Sequence, residues 1–288
     1  MERPNDISLP FFAYGLFRPG QIAFFRLSTL VSKISEPVQI KGTILIRDGL
    51  PILDPTGEGH TIGALLTFLP DQAIEAYDKI REMEPDKQYR WSVSEITGRS
   101  ANVLVGRHPL KGSVSSDDKE WDGWDDPLFN AALEVVEETL KTQSGFDWDL
   151  KPLFRLQMAY LLLWSSIERY LSLRYLLGGK PNQKLGWLAT EHAFAESLQR
   201  HVVEPREIYR ADEPDNKVVL DRCSPDKAVS YYYQIRSNIT HRGKAVVRDH
   251  ELLTSSLAEL LLIFRDVLTS AKHEAVYRGN KSLKDPFN

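Results

Sequence analysis

The sequence predicts an α+β domain followed by an all-α helical bundle. Three observations carry this. Apolar residues recur at roughly every second position before residue 110, and they recur at helical spacing after residue 127. Between the two lies a stretch rich in Gly, Ser and Asp. The chain of 288 residues is long enough for two domains of ordinary size. We expect residues 1–110 to form the first, 111–126 an acidic linker and 127–288 the bundle.

Each element follows from its pattern. Val38, Ile40, Ile44 and Ile46 alternate with Gln39, Lys41 and Arg47, and Tyr89, Trp91 and Val93 alternate with Arg90, Ser92 and Ser94; both are strand patterns. Shorter β-type runs occupy residues 10–14, 61–68 and 102–105. The turn chemistry of Arg47-Asp48-Gly49 and of Pro55-Thr56-Gly57-Glu58-Gly59 punctuates them. Helices are expected over 20–33 and over 70–83, the second opening on proline. In the second half, Leu128, Ala132, Leu133, Val136 and Leu140 stripe one helix. Residues 151–177 are apolar almost all round, as a central bundle helix should be. Further helices are expected over 184–203, from Ser224-Pro225-Asp226 to about Gly243, and from about Asp249 along Leu253, Leu257, Leu260, Phe264 and Val267.

Composition excludes several classes. The 42% hydrophobic and 26% charged content is that of a globular chain. The single Cys223 excludes a disulfide framework and a cysteine-built zinc site, and it suits a reducing compartment. Residues 1–10 carry no basic-then-apolar leader, and only 12 residues separate Arg155 from Glu168 in the most apolar run, too few to span a bilayer. A cytoplasmic protein without membrane contact is expected. Charge is uneven: residues 116–150 hold 2 basic and 11 acidic residues, while the part beyond them is net +5 and compatible with an RNA partner. No HExxH and no clustered ligand set is present, so neither metal nor cofactor is expected.

The first half carries an ordered constellation. Phe11-Phe12-Ala13-Tyr14 runs into Gly15-Leu16-Phe17-Arg18-Pro19-Gly20; Ile40-Lys41-Gly42-Thr43-Ile44-Leu45, Gly49-Leu50-Pro51-Ile52-Leu53 and Ile62-Gly63-Ala64-Leu65-Leu66 follow, then Ile80 to Pro85 and Tyr89-Arg90. In order and spacing, over about residues 9–107, this resembles the γ-glutamylcyclotransferase-like (AIG2-like) family. The resemblance implies a mixed β-barrel with flanking helices. It also implies cyclisation of a γ-glutamyl group, whose α-amine attacks its own side-chain carbonyl to release an amine and 5-oxoproline. Glu84 matches the family's catalytic glutamate and would act as general base and then acid, its pKa raised by Met83 and an apolar wall. Backbone N–H groups of Tyr14, Gly15, Leu16 and Phe17 would hold the substrate carboxylate or the oxyanion. The loop is bulkier than the family's, and Glu82 is a second candidate for the acid.

The second half carries Tyr231-Tyr232-Tyr233-Gln234-Ile235-Arg236-Ser237-Asn238-Ile239-Thr240-His241-Arg242-Gly243, late in a capped helix. Over about residues 128–275 this resembles the HEPN family, helical bundles with an R-x4-6-H motif, many of them metal-independent ribonucleases of toxin or antiviral systems that work as dimers. By that resemblance Arg236 would bind the scissile phosphate, and His241 would move the proton as the ribose 2′-hydroxyl attacks. Asn238 would orient either group, and Glu168, an acid within an apolar helix, would pair with Arg236. Five residues of separation set Arg236 and His241 about 140° apart on an ideal helix, so they converge through arginine's reach, a helix end or a second protomer.

The leading expectation is therefore a ribonuclease acting on RNA such as tRNA, regulated by the cyclotransferase-like domain, with a homodimer through the bundle and an antitoxin as partners. The alternative is a cyclotransferase on a γ-glutamyl small molecule, with the bundle as a dimerisation scaffold. A third class is a non-catalytic binding protein.

Overall fold

A computed structural model of the chain describes residues 1–84, 86–116, 119–142, 150–175, 181–210, 213, 215–242 and 247–284; side chains at 181, 182, 241, 242, 247–249 and 281–284 lie outside the description. The protein is mixed α/β, with sheets in its first part and a helical C-terminal part. It divides into two compact units. The first comprises Met1–Asp126 with Leu173–Gly178 and Ala271–Asn288; the second comprises Pro127–Ser172 and Gly179–Ser270.

In the first unit, β1 (Phe11–Ala13), β2 (Val31–Lys41), β5 (His60–Phe68), β6 (Tyr89–Ile96) and β7 (Arg99–Gly106) form one sheet in the order β2-β5-β1-β7-β6. Only the β1–β7 pair is parallel. β3 (Thr43–Arg47) lies between β4 (Leu50–Asp54) and β8 (Val114–Ser115) in a second sheet. The alternating residues do what their period requires. Ile40 and Ile44 join Phe12, Tyr14, Leu53, Leu65, Ile96, Val103 and Val105 in one core, with Val38 and Ile46 packed against it. Each large side chain so buried contributes about 1.5–3 kcal/mol.

Gly42 makes the switch from β2 to β3. Its φ of +136° is one that L side chains rarely adopt, and a Cβ there would lie 2.9 Å from both the Asp54 carbonyl and Leu53 Cδ1. At this glycine the chain leaves the large sheet. The expected β-barrel is accordingly corrected: the two sheets remain separate, and the edge strands β2 and β6 approach each other without forming a ladder.

The helix expected over 20–33 is also corrected. Phe24–Arg26 form one 3₁₀ turn, and Val31 already pairs with Phe68 in the ladder to β5. Ile22, Ala23, Phe24, Leu27 and Leu30 are all buried. Their spacing imitates a helix, but the strand pairing decides the backbone. The second expected helix forms as a 3₁₀ turn at Pro70–Gln72 followed by α1 (Ala73–Met83). Residues 119–126 pack on this same unit. Trp121 and Trp124 are buried and donate their indole N–H groups to the Gly49 and Gly20 carbonyls, at 3.1 and 2.9 Å. The composition of a solvated linker thus belongs to a docked segment, because two buried indoles outweigh its exposed acids.

The second unit is built from α2 (Pro127–Lys141), α3 (Lys151–Arg174, to Ser172), α4 (Pro181–Thr190), α5 (His192–His201), α6 (Pro225–Arg242) and α7 (Val247–Lys284, to Ser270). The expectation of an all-α bundle is corrected by a hairpin of β9 (Arg206–Tyr209) and β10 (Lys217–Leu220). Two four-residue strands leave almost no periodicity to detect. Tyr160, Trp164, Tyr170, Tyr231, Tyr232 and Phe264 are fully buried, and the hydroxyl of Tyr160 donates to the Tyr232 carbonyl at 2.8 Å. Arg206 pairs with Glu259, to which the Tyr232 hydroxyl also donates, at 3.2 Å. Among the described residues no helix is long and apolar enough to cross a membrane.

Because the β2–β3 switch requires a backbone that only glycine adopts readily, Gly42→Ala should destabilise the first unit by about 1–3 kcal/mol. The urea midpoint read by tryptophan fluorescence checks this; an unchanged midpoint refutes it.

Candidate functional site

Glu84 is placed by the way α1 ends. The residue before a proline is driven out of the helical region, and Pro85 follows in the sequence. Glu84 accordingly caps α1 with φ −95° and ψ 124°, while its N–H still donates to the Ile80 carbonyl at 3.1 Å. The side chain turns into a pocket whose walls are Phe11, Ala13, Tyr14, Gly15, Leu16, Phe17, Leu50, Pro51, Tyr89 and Leu104. Glu82 takes the other direction: it is exposed and pairs with Arg26 at 3.1 Å. Of the two candidate acids, Glu84 lines the pocket.

The loop that faces it begins where β1 stops. A Cβ on Gly15 would lie 2.9 Å from Pro51 Cγ, so the loop passes flat against β4. Arg18 N–H donates to the Gly15 carbonyl at 3.0 Å, and Ala23 N–H to the Leu16 carbonyl at 3.1 Å. The N–H groups of Gly15, Leu16 and Phe17 themselves meet no acceptor among the described residues. Leu16 and Phe17 fill much of the space, and the cavity measures about 20 Å³, room for about one water.

Electrostatics follow from this apolar lining. Glu84 is half-buried as a residue, yet its Oε2 is sealed from solvent and has no hydrogen-bond partner. Burial pushes its carboxyl up to about 8. The two pocket tyrosines are engaged elsewhere. The Tyr14 hydroxyl donates to the Leu104 carbonyl at 2.8 Å and accepts from Leu53 N–H, and the Tyr89 hydroxyl donates to the Pro51 carbonyl at 3.0 Å. Burial first, and then the neighbouring Glu84, push both phenols above their ordinary value. Among the described residues no group of three or more His, Cys, Asp or Glu gathers to hold a metal ion.

The helical unit distributes its expected site residues differently. Arg236 is half-buried in α6, with its guanidinium 5.8 Å from the Tyr233 ring centre. Glu168 accepts from Trp164 Nε1, one turn away on α3, at 2.9 Å, and Trp164 lies against Tyr233 with ring centres 5.8 Å apart. Two aromatic rings therefore stand between Glu168 and Arg236. The expected pair is not formed, because an indole four residues back satisfies the acid first. Asn238 accepts from Gln234 at 2.8 Å and donates to the Tyr209 carbonyl at 2.9 Å, which ties α6 to the hairpin. The side chain of His241 lies outside the described residues. Sequence reasoning missed Arg26, which grips the end of α1; only its position in an apolar stretch marked it.

An ordinary glutamate titrates near 4.5. Below that value folded and unfolded chains both hold the proton; from there to about 8 only the folded chain does, so the wild type loses stability as pH rises through the window. Glu84→Gln does not titrate. Its advantage in thermal midpoint over the wild type should therefore grow from about pH 5 to about pH 8, by up to about 1.4 kcal/mol per pH unit, and a difference that stays flat refutes the buried acid.

No family model and no curated protein matches the chain. Among solved structures, an uncharacterised protein from Pyrococcus horikoshii is similar at 21% identity over 39% of this chain and 90% of that one; its TM-score of 0.32 is too low to assign a fold.

Proposed function

We propose that the chain cyclises γ-glutamyl amines, with Glu84 as the proton-transfer group. One observation carries this reading: a carboxyl with a sealed, unpartnered oxygen faces a loop whose N–H groups are unspent. In its ionised form, whose proton affinity burial raises to that of a group titrating at about 8, the Glu84 carboxylate takes a proton from the substrate's α-ammonium. The freed amine attacks the γ-carbonyl carbon and forms the ring C–N bond. The N–H groups of Gly15, Leu16 and Phe17 hold the oxyanion. As the original C–N bond breaks, Glu84 returns its proton to the departing amine, which also takes the ring nitrogen's second proton and leaves as an ammonium, so that 5-oxoproline keeps one N–H. The cavity admits about one water, so the side chains of Leu16 and Phe17 move aside when substrate enters.

A second reading, RNA cleavage by the helical unit, is supported by Arg236: among the described residues no carboxylate pairs with it, which leaves the guanidinium available to a phosphate. It would act with His241.

Purified protein incubated with a panel of γ-glutamyl amines should release 5-oxoproline, and Glu84→Gln should lose about 10²–10⁴-fold of that rate. The absence of 5-oxoproline from a folded wild type refutes the proposal. Metal-free cleavage of total RNA, lost in Arg236→Ala, would then favour the second reading.

A further inference from the structure

Arg26 is not part of the pocket, yet it touches the residues that deliver both of its halves. Its side chain is 18% exposed and closes the 3₁₀ turn that follows the loop. Nη2 donates to Glu82 Oε2 at 3.1 Å, and Nη1 donates to the Met83 sulfur at 3.3 Å and to the Tyr175 carbonyl. Glu82 and Met83 are the two residues before Glu84. On the other side, Ala23 N–H is bonded to the Leu16 carbonyl and Leu27 N–H to the Phe24 carbonyl, so the turn carrying Arg26 is continuous with the pocket loop. One guanidinium thus joins the acid's helix to the loop that faces it.

The last turn of a helix frays when its terminal carbonyls are not engaged. Glu84 sits just past such a turn, and its carboxyl would gain hydration by swinging outward. The turn that bears Arg26 is itself gripped from a second side. Arg174 stacks 4.3 Å over the Phe25 ring and reaches the Ile22 carbonyl at 3.4 Å, and Arg278 donates to Ser28 Oγ at 3.3 Å. The anchor is therefore stiff, and the grip on α1 is as well.

We propose that Arg26 is a positioning residue, which holds the end of α1 so that the Glu84 carboxyl stays inside the pocket. This rests on the reading of Glu84 as the proton-transfer group. Among the described residues, the titratable and charged groups around the acid and the grip include Tyr14, Tyr89, Arg47, Glu82, Tyr175 and Arg174.

The test is an NMR titration of the full chain labelled with [¹³C]glutamate, with the Glu84 signal assigned by its absence in Glu84→Gln. In Arg26→Met a positioning role lets water reach the carboxyl, and its midpoint should fall by about 1 pH unit or more. Loss of a nearby cation alone would raise the midpoint, because a cation favours the ionised acid. A rise, or no change, overturns the proposal. Should Arg26→Met fail to fold, Arg26→Lys is read in its place. It keeps the charge but not the fork of donors, and a smaller fall is expected, whereas an unchanged midpoint overturns the proposal. If the wild type releases 5-oxoproline, Arg26→Met should also lower kcat while leaving KM nearly unchanged. If it releases none, the titration still decides the role of Arg26, so the two failures are distinguishable.

Discussion

The candidate site depends on how α1 stops. A glutamate followed by a proline cannot continue the helix, so Glu84 takes an extended backbone and its side chain leaves the helix surface for the interior of the first unit. Apart from the unspent N–H groups of the facing loop, the groups around it are apolar or already hydrogen-bonded: Tyr14 and Tyr89 face the acid, but their hydroxyls are committed to backbone carbonyls. The result is a carboxyl that keeps its proton to about pH 8 through lack of solvation alone. A fold gains no stability from such a group. Its presence is easier to understand as chemistry carried at the expense of the core.

Unpartnered buried polar atoms occur in both units, Glu84 Oε2 in the first and Ser166 Oγ in the second. In the second, the other buried polar groups named above have partners: Tyr160 on a carbonyl, Glu168 on an indole, and Glu259 on both Arg206 and Tyr232. Such satisfied contacts specify packing and leave little reactivity. Arg236 differs, because its neighbour is a ring and not an acid.

Much of the first unit was legible in the chain. Alternation marked β6 and a single strand over residues 38–47, which the structure divides at Gly42 between two sheets, and proline marked the start of the segment that leads to α1. The acid and its loop were legible together from the order of short motifs, although Tyr14 and Glu84 are 70 positions apart. The choice between Glu82 and Glu84 was not legible. Two residues apart, they diverge only because the helix ends between them, and Arg26 draws Glu82 outward. The stretch of residues 20–33 misled because a run of turns leading into β2 buries residues at a spacing that resembles a helix. The acidic composition of residues 111–126 pointed to a linker, while its two tryptophans pointed to docking, and the buried indoles prevail over residues 119–126.

The sequence by itself determined the local rules: which stretches alternate and where a proline stops α1. These are steric and periodic properties of neighbouring residues, and they need no partner. Only the tertiary structure decided that the two sheets stay open and that a hairpin interrupts the helices. It alone paired Glu168 with Trp164 and sealed the Glu84 carboxyl against an apolar wall. Those outcomes depend on which distant groups reach a site first and on how much water they exclude, and neither quantity is written in the order of residues.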